Sequence, residues 1–442
     1  MKNDDNGFDN GIPNIFWLYL AGKFIQGLVK NIKGIYHEFP PKFWAVVGVS
    51  FIDHVGGTLL FPFFSLYITQ KFNVGMTQAG IVLGLFSAFG LVGSMLGGAL
   101  TDKFGRRKLI IFGLVFSAMS TLSLGFANSY TLLIPLAVVI GMLSDIAGPA
   151  HNAMIADLLP ENKRQEGFGV LRVVGNMAWI IGPTIGGFVA NKSFLALFII
   201  DAVISSIVAL LFFKFIPETK PQASAAVEHE SLVKTFKGYN VALIDKAFMA
   251  FLAASILMGL VYGQMYNSLS VFLSRYHGIQ PNGFGFLLTT SAIIVILFQF
   301  TTTRLVKNLP PFLMLGIGTL FYMVGFGMFG VVSAYWMFAL AIIIITVGEM
   351  IIVPISSGLV ANFAPADMRG RYMAVYGIAW GIPATIGPGA AGLILDNLNP
   401  NLLWYIGGGL CLMSAFGFYV LHLRLGKQTR FKLESIEADA AD

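Results

Sequence analysis

Twelve long apolar stretches constrain this chain more than any other feature of its sequence. A helix needs about 20 apolar residues to cross a bilayer core of about 30 Å, and only helices satisfy their own backbone hydrogen bonds within a single segment there. The predicted spans, numbered 1 to 12, are 43–70, 76–100, 109–127, 131–158, 167–190, 194–216, 247–274, 283–303, 311–333, 335–360, 372–395 and 401–424. The chain is 56% hydrophobic and only 11% charged, whereas a soluble domain carries about 25% charged residues. The predicted fold class is therefore an all-α membrane protein with twelve transmembrane helices.

The basic residues predict the direction of the spans. With the N-terminus in the cytoplasm, 24 of the 28 Lys and Arg residues fall on cytoplasmic segments, a bias typical of membrane proteins. The exceptions are Lys71, Lys192, Arg275 and, inside span 5, Arg172. We therefore expect a multi-pass protein of a cell (plasma or inner) membrane with both termini in the cytoplasm. The same bias explains the net charge of +6 without a nucleic-acid partner.

The two halves of the chain repeat each other at a constant offset of 205 residues. The matching pairs are Pro149/Pro354, Pro160/Pro365, Pro183/Pro388, Arg164/Arg369, Gly80/Gly285, Gly182/Gly387, Gly187/Gly392, Ser65/Ser270 and Tyr130/Tyr335. The repeat predicts an N-terminal segment 1–42, two pseudo-symmetric six-helix bundles at 43–216 and 247–424, a cytoplasmic linker 217–246 and a tail 425–442. In transporters built from such repeats the substrate site lies near the midplane, between the halves.

The segment before span 1 carries an apolar stripe at helical spacing. The stripe consists of Trp17, Ala21, Phe24, Leu28, Ile32, Ile35 and Phe39, and lysines lie mostly off it. This pattern predicts an amphipathic helix over 15–39 along the cytoplasmic leaflet; packing on the bundle is the alternative. No cleavable signal peptide is evident, because lysines interrupt the apolar run.

The stretch "GGALTDKFGRRK" (97–108) follows span 2 on the predicted inner side. It resembles the signature loop of the major facilitator superfamily, with matches at Gly98, Asp102, Gly105, Arg106 and Arg107. The resemblance implies the twelve-helix major facilitator fold and a loop that latches the two halves on the cytoplasmic side. The alternative is a basic inner loop that latches nothing.

The stretch "GNMAWIIGPTIGG" (175–187) in span 5 resembles the antiporter signature of the superfamily's drug–proton exporters. The matching residues are Gly169, Gly182, Pro183, Gly186 and Gly187. Two positions depart from the pattern, since Ala178 replaces a glycine and Ser144 stands near the place of an arginine in span 4. The resemblance implies an export-type gate; ordinary glycine and proline packing is the alternative.

Three carboxylates lie at mid-depth in the predicted spans: Asp53 in span 1, Asp145 in span 4 and Glu349 in span 10. A charge at the bilayer centre is costly, so each is a candidate for function. The resemblance places all three in one central cavity lined by spans 1, 4, 7 and 10, where they would bind protons and a cationic substrate. A structural hydrogen bond to a neighbouring helix is the alternative for each.

Other polar residues within the spans have alternative roles. His54 is a proton relay or a packing residue, and Arg172 pairs with Asp157 or a cavity carboxylate or, less favoured, binds an anion. The candidate substrate contacts on span 7 are Tyr262, Gln264, Tyr266 and Asn267. His151 and Asp201 are assigned structural roles.

Several absences narrow the function. The chain has no phosphate-binding loop, no His/Cys metal spacing and a single cysteine, Cys411, so neither a metal, another cofactor nor an enzyme activity is predicted. The prediction is a monomeric secondary transporter that exports lipophilic cations in exchange for protons. A symporter or lipid flippase of the same fold is the alternative, and a membrane receptor or scaffold is the alternative from another class.

Overall fold

The computed structural model describes residues 38–219, 240–365 and 368–439 of the chain. The side chains of 98–99, 102, 161–162, 165, 361, 369–370 and 426–439 are not described. Over the described ranges the chain forms helices and no strands. The helices are Pro41–Leu60, Phe61–Phe63 (3₁₀), Phe64–Lys71, Met76–Phe104, Arg106–Phe126, Tyr130–Ser144, Ala147–Leu158, Glu161–Lys192, Phe194–Phe215, Lys246–Tyr262, Gln264–Asn267, Leu269–His277, Pro281–Val306, Pro311–Phe329, Tyr335–Phe363, Arg369–Tyr376, Ile378–Asn397 and Leu402–Asp439.

The prediction of twelve membrane-spanning helices is confirmed. The spans are Pro41–Lys71, Met76–Gly97, Arg106–Phe126, Tyr130–Leu158, Glu166–Lys192, Phe194–Phe215, Lys246–Asn267, Pro281–Val306, Pro311–Phe329, Tyr335–Val360, Arg371–Asn397 and Leu402–Leu425. Most predicted boundaries lie within three residues of these. Residues 15–37 of the predicted amphipathic helix lie outside the described part of the chain. Residues 220–239 of the predicted linker also lie outside it.

Loops meet at two ends of the molecule. We call one end of the molecule the basic end, where the chain passes residues 41, 105, 160, 216, 246, 307, 369 and 425. We call the other the far end, where the chain passes residues 73, 128, 193, 279, 332 and 399. Because the sequence places most Lys and Arg residues near the basic end, the predicted cytoplasmic side corresponds to that end.

The 205-residue repeat reappears as paired contacts. The Ser65 and Ser270 hydroxyls, which are 205 residues apart, are hydrogen-bonded at 3.2 Å where spans 1 and 7 meet. The Tyr130 hydroxyl donates to the Gln78 carbonyl at 3.1 Å. Its repeat partner Tyr335 donates to the Gly283 carbonyl at 2.9 Å. Equivalent residues therefore make equivalent bonds, as expected for two related six-helix units.

Span 2 crosses span 11, and span 5 crosses span 8, and both crossings depend on glycine. A Cβ on Gly80 would overlap the Pro388 carbonyl, and a Cβ on the equivalent Gly285 would overlap the Pro183 carbonyl. Close backbone contact of this kind is how membrane helices associate. The repeat therefore builds two symmetry-related crossings between the halves.

The two crossings hold the halves together towards the far end. Nearer the basic end, Met95 of span 2 is 78% exposed and Val173 of span 5 is 56% exposed.

Several spans are discontinuous. Span 4 consists of Tyr130–Ser144 and Ala147–Leu158, and Asp145 lies at the break. Helix Leu269–His277 continues span 7 beyond Asn267, and Gly263 and Ser268 interrupt the continued span. Broken helices in a membrane expose backbone groups that must lie against protein or a water-filled cavity, and they often mark binding sites in transporters.

Candidate functional site

A cavity of about 260 Å³ lies between the halves, and we call it the interface cavity. Spans 5, 7, 8 and 10 contribute its walls. The lining residues are Asn176, Trp179, Tyr262, Met265, Tyr266, Leu288, Ser291, Ala292, Val295 and Glu349. One carboxylate therefore faces a wall made chiefly of aromatic and apolar side chains.

Tyr262 and Tyr266 line the interface cavity together with Glu349. The Tyr262 hydroxyl lies 3.0 Å from the Tyr266 hydroxyl. Arg172 on span 5 is not among the lining residues of this cavity, and its pairing with a cavity carboxylate stays a prediction. Its other expected partner, Asp157, bonds elsewhere, as described below.

Aromatic rings enclose the space beside Glu349. The ring centroids of Trp179 and Tyr266 are 5.0 Å apart, and those of Tyr262 and Tyr266 are 5.6 Å apart. Trp380 of span 11 lies 6.0 Å from Tyr262. Aromatic faces attract cations through their quadrupoles. A carboxylate within such a set of rings can hold an organic cation by charge and by cation–π contact.

Two of the four span 7 candidates line this cavity and two do not. Tyr262 and Tyr266 are one helical turn apart and face it. Gln264 is buried; it bonds to the Leu260 carbonyl at 2.9 Å and accepts from the Ser268 hydroxyl at 2.6 Å. Asn267 is not among the lining residues. Gln264 lies outside the interface cavity because residues two apart on a helix point to opposite sides. Its contact with substrate stays a prediction.

Asp53 and Asp145 lie in a second cavity, of about 390 Å³, which we call the N-terminal cavity. It lies between spans 1, 3, 4 and 6. Its polar lining consists of Ser50, Asp53, His54, Ser117, Ser144, Asp145, His151 and Asn152. The structure does not bring the three carboxylates into the one cavity that the resemblance implied, because Asp53 and Asp145 line a cavity within the N-terminal half and Glu349 lines the interface cavity. Their roles in proton and substrate binding stay predictions.

Asp201 lies next to this cavity and joins two spans. It is buried, and it accepts a hydrogen bond from the Thr121 hydroxyl of span 3 at 2.9 Å. A Cβ on Gly56 of span 1 would meet its carboxylate. Asp201 therefore lies where three spans pack together, which suits the structural role that the sequence assigned to it.

The loop between spans 2 and 3 is bound by acidic residues of its own half. Gly105 has a φ of 91°, a conformation that glycine adopts without steric cost. Arg106 pairs with Asp157 of span 4, with Nε and Oδ2 3.0 Å apart. The Glu218 carboxylate accepts the backbone N–H groups of Arg106 and Arg107 at 2.9 and 3.2 Å. Glu218 thus caps span 3 at its positive end.

Further contacts fix the same corner. The Arg107 guanidinium donates to the Phe213 carbonyl, and its carbon lies 4.9 Å from the centre of the Phe213 ring. Since Arg106 occupies Asp157, the expected pair between Arg172 and Asp157 is not formed. The side chains of Asp102 and of residues 98–99 lie outside the described part, so the latch stays a prediction.

Glycines of the span 5 signature contact both neighbouring helices. Cβ atoms on Gly182 and Gly186 would overlap Thr58 and Leu59 of span 1. A Cβ on Gly187 would overlap Pro281 and Asn282 of span 8. Gly169 has open space around it. Pro183 lies inside the uninterrupted helix Glu161–Lys192. Its carbonyl packs against Gly285 of span 8.

A polar contact that no sequence motif predicted closes the far end. Asp396 of span 11 accepts the backbone N–H groups of Met76 and Thr77 at 2.9 and 2.7 Å, at the start of span 2. It also pairs with Arg275 of span 7 at 3.3 Å. The equivalent positions in the repeat hold Asn191 and Gln70, so the charged contact is asymmetric. Arg275 was visible in the sequence as an exception to the inner-side bias.

Asp396→Asn should weaken the far-end contact. The substitution removes the charge that faces a helix N-terminus and Arg275, and one such interaction contributes about 1 kcal/mol. Opening of the far end should then become about five times more frequent. The measurement is the labelling rate of Ser270→Cys by an impermeant thiol reagent applied from the far side.

The control for this substitution is Asn397→Ala. The Asn397 amide bonds to the Leu393 carbonyl within its own helix, so its loss should leave the labelling rate unchanged. Equal rates in Asp396→Asn and in the wild type would contradict a closing role for Asp396.

Comparison with known proteins gives a family and relatives. The family model described as Major Facilitator Superfamily matches residues 46–280 and 264–438. A "Na(+), Li(+), K(+)/H(+) antiporter" of Planococcus maritimus is 27% identical over 357 residues, which cover 75% of this chain and 84% of the relative. The "Quinolone resistance protein NorA" of Staphylococcus aureus (strain MSSA476) is 22% identical and covers 87% of this chain and 96% of its own length.

Solved structures share the fold. A POT family transporter in complex with 5-aminolevulinic acid superposes with a TM-score of 0.74 at 15% identity, covering 88% of this chain and 96% of that one. The nucleoside transporter NupG superposes with a TM-score of 0.72 at 15% identity, covering 86% of this chain and 99% of that one. At this identity the likeness establishes the fold alone.

Proposed function

Because the chain belongs to the Major Facilitator Superfamily, we propose that this membrane transporter exports lipophilic organic cations in exchange for protons. The observation that carries the proposal is the interface cavity, where Glu349 stands among Trp179, Tyr262 and Tyr266. A carboxylate supplies the counter-charge and the rings supply apolar, cation-attracting walls.

Exchange follows from competition for one carboxyl group. Glu349 can hold a proton or face an organic cation, and each state disfavours the other because the carboxyl has a single negative charge. By linkage, cation binding then releases a proton, and proton binding releases the cation to the same extent.

Alternating access would use the two crossings as contact surfaces. In this proposal the state with the far end closed takes up substrate from the basic side. Rocking of one half against the other would open the far end. On the predicted orientation this direction is export.

Transport in proteoliposomes tests the proposal. When the liposome lumen is more acidic than the outside, the purified protein should accumulate a lipophilic cation such as tetraphenylphosphonium in the lumen against its gradient. When the outside is more acidic, the cation should be driven out of the lumen. Co-movement of cation and proton in the same direction would instead identify a symporter. A lack of flux for every cation would support the non-transporting alternative and overturn the proposal.

A second candidate is exchange of small inorganic cations for protons. The N-terminal cavity favours it, because Asp53, Asp145 and three serines offer the oxygen ligands that alkali cations prefer. A relative of similar length is named as such an antiporter. Running the same liposomes with Na⁺, Li⁺ and K⁺ separates the two, since Asp145→Asn should then reduce exchange more than Glu349→Gln does.

Trp179→Ala should weaken binding of the organic cation without abolishing it. One cation–π contact contributes about 0.5–2 kcal/mol, so the Kd for tetraphenylphosphonium should rise about 2- to 30-fold. The matched control is Trp336→Ala, because Trp336 is 62% exposed at the far end of span 10. Equal affinities in Trp179→Ala and Trp336→Ala would show that Trp179 does not contribute to cation binding. Isothermal titration calorimetry supplies the affinities.

A further inference from the structure

Pro354 disturbs the backbone hydrogen bonds of span 10 close to Glu349. Proline has no backbone N–H, so the carbonyl four residues earlier loses its usual partner within the helix. In span 10 that carbonyl belongs to Met350, the residue next to Glu349. An unpaired carbonyl is costly inside a membrane, because no water is present to replace the lost bond. The chain must therefore break the helix or supply a donor from elsewhere.

Span 8 supplies that donor. The Gln299 side-chain nitrogen, Nε2, donates to the Met350 carbonyl at 3.0 Å and to the Thr303 hydroxyl of its own helix at 3.0 Å. Because a carbonyl oxygen can only accept, the amide nitrogen of Gln299 and not its oxygen must face Met350. Both N–H groups of the amide therefore have a partner, and the orientation of Gln299 is defined.

Span 4 contains the same proline and accommodates it differently. Pro149 is the repeat equivalent of Pro354, and the carbonyl that it leaves without its usual partner is that of Asp145. This carbonyl accepts the backbone N–H of Gly148 at 3.3 Å. The helix breaks at Asp145, so that Pro149 lies in the first turn of helix Ala147–Leu158, where a proline removes no helical bond.

The difference between the two spans corresponds to one position on the neighbouring helix. The repeat equivalent of Gln299 is Ser94 on span 2, and its side chain is much shorter. Span 10, which has Gln299 beside it, forms one helix, Tyr335–Phe363, with Pro354 inside it. Gln299 thus replaces, from outside, the helical hydrogen bond that Pro354 removes.

Glu349 lies between two contacts that join span 10 to span 8. On its far-end side, the hydroxyls of Thr346 and Ser291 lie 2.8 Å apart, and Ser291 lines the interface cavity with Glu349. On its basic-end side, the Met350 carbonyl accepts from Gln299. The segment that carries Glu349 is therefore held on both sides by the same neighbouring helix.

We propose that Gln299 is a positioning residue for Glu349: its bond to the Met350 carbonyl keeps span 10 as one helix and so directs Glu349 into the interface cavity. Gln299 is not among the residues that line this cavity, so it acts through the backbone of span 10. Without the bond, span 10 should break beside Met350, as span 4 breaks at Asp145, and Glu349 should turn out of the cavity. The consequence for cation binding rests on the proposed function, whereas the position of Glu349 does not.

Carboxyl labelling tests the position of Glu349 without any cargo. Dicyclohexylcarbodiimide reacts with carboxyl groups in apolar surroundings, and mass spectrometry of protein in lipid nanodiscs gives the labelling rate of each carboxyl. Gln299→Leu removes the donor at similar side-chain size, so labelling of Glu349 should become severalfold slower while that of Asp145 stays constant. The matched control is Thr290→Val, because the Thr290 hydroxyl bonds to the Phe286 carbonyl within span 8. Unchanged or faster labelling of Glu349 in Gln299→Leu would overturn the proposal.

Pro354→Ala shows whether Gln299 acts through the Met350 carbonyl. Alanine restores the backbone N–H that donates to this carbonyl within span 10, so Gln299 should no longer be needed. Adding Gln299→Leu to Pro354→Ala should then leave the labelling rate of Glu349 as it is in Pro354→Ala alone. A slower rate in the double variant would overturn the proposal, because Gln299 would then act through another contact. This comparison decides the matter even if Gln299→Leu alone does not fold.

The affinity for tetraphenylphosphonium separates this proposal from the exchange at Glu349. The Kd should rise about 2- to 12-fold in Gln299→Leu, the effect expected for one lost hydrogen bond. If the wild type binds no organic cation but the labelling follows the expected pattern, the exchange is wrong and the positioning role of Gln299 stands. If the wild type exchanges cations for protons but labelling is the same in Gln299→Leu, the exchange stands and the positioning role is wrong.

Discussion

Glu349→Gln should abolish proton-driven accumulation of organic cations in proteoliposomes. Glutamine keeps the size of the side chain, but it carries neither a charge nor an exchangeable carboxyl proton. The substitution therefore removes the group that binds the proton and the charge that binds the cation. Cation binding should also weaken, since truncation of an interaction with a charged group costs about 1.5–3 kcal/mol, or about 10- to 150-fold in Kd.

The matched control for that variant is Glu166→Gln. Glu166 is an exposed carboxylate that pairs with Lys163 at 2.8 Å near the basic end, and such pairs contribute little. Its loss should leave transport intact. Normal pH-driven accumulation by Glu349→Gln would move the coupling group elsewhere, with Asp145 as the next candidate to replace.

Gly80→Ala should wedge open the crossing between spans 2 and 11. The added methyl group would overlap the Pro388 carbonyl and the following amide of Gly389, and backbone cannot rotate away as a side chain can. Overpacking of this kind costs about 1–3 kcal/mol, so the far-end-closed state should lose about 5- to 150-fold in population. Gly285→Ala should act alike, because it is the repeat equivalent.

Spin labels report this change directly. Labels at Lys192 and Asn399 lie on opposite halves at the far end, and the single native cysteine, Cys411, is buried and can be replaced by alanine. Distances between the labels should lengthen in Gly80→Ala. Gly389→Ala is the control, because no atom lies within 4 Å of its added Cβ. An unchanged distance distribution in Gly80→Ala would show that the crossing does not hold the far end closed.

The fold could be predicted from sequence because its main signals are local. Twenty-residue apolar runs fix the spans, and the constant offset of 205 residues anticipates contacts such as Ser65 with Ser270. Composition and repeat spacing can be read from the sequence without any knowledge of packing. The helix crossings at Gly80 and Gly285 also follow from symmetry once the repeat is recognised.

The site was predicted only in part because side-chain direction depends on helix rotation. Depth along a span placed Asp53, Asp145 and Glu349 at similar levels, but not on the same face. The helix period alone separates Gln264 from Tyr262 and Tyr266, since successive residues differ by about 100°. That signal was present in the sequence.

Long-range polar contacts were beyond reach for a different reason. Asp396 meets Met76 at a separation of 320 residues, and no local pattern links the two. The same holds for Glu218 at the start of the linker, which caps span 3 through Arg106 and Arg107. Such contacts depend on how helix ends meet in space, which a single sequence does not encode in any short motif.

In the proposed mechanism one carboxyl group, Glu349, exchanges a proton for an organic cation. The most direct measurement is proton release when tetraphenylphosphonium is added to purified protein in weak buffer. We predict that the wild type releases protons on binding, that Glu166→Gln does the same, and that Glu349→Gln releases none. Undiminished proton release from Glu349→Gln would contradict the account.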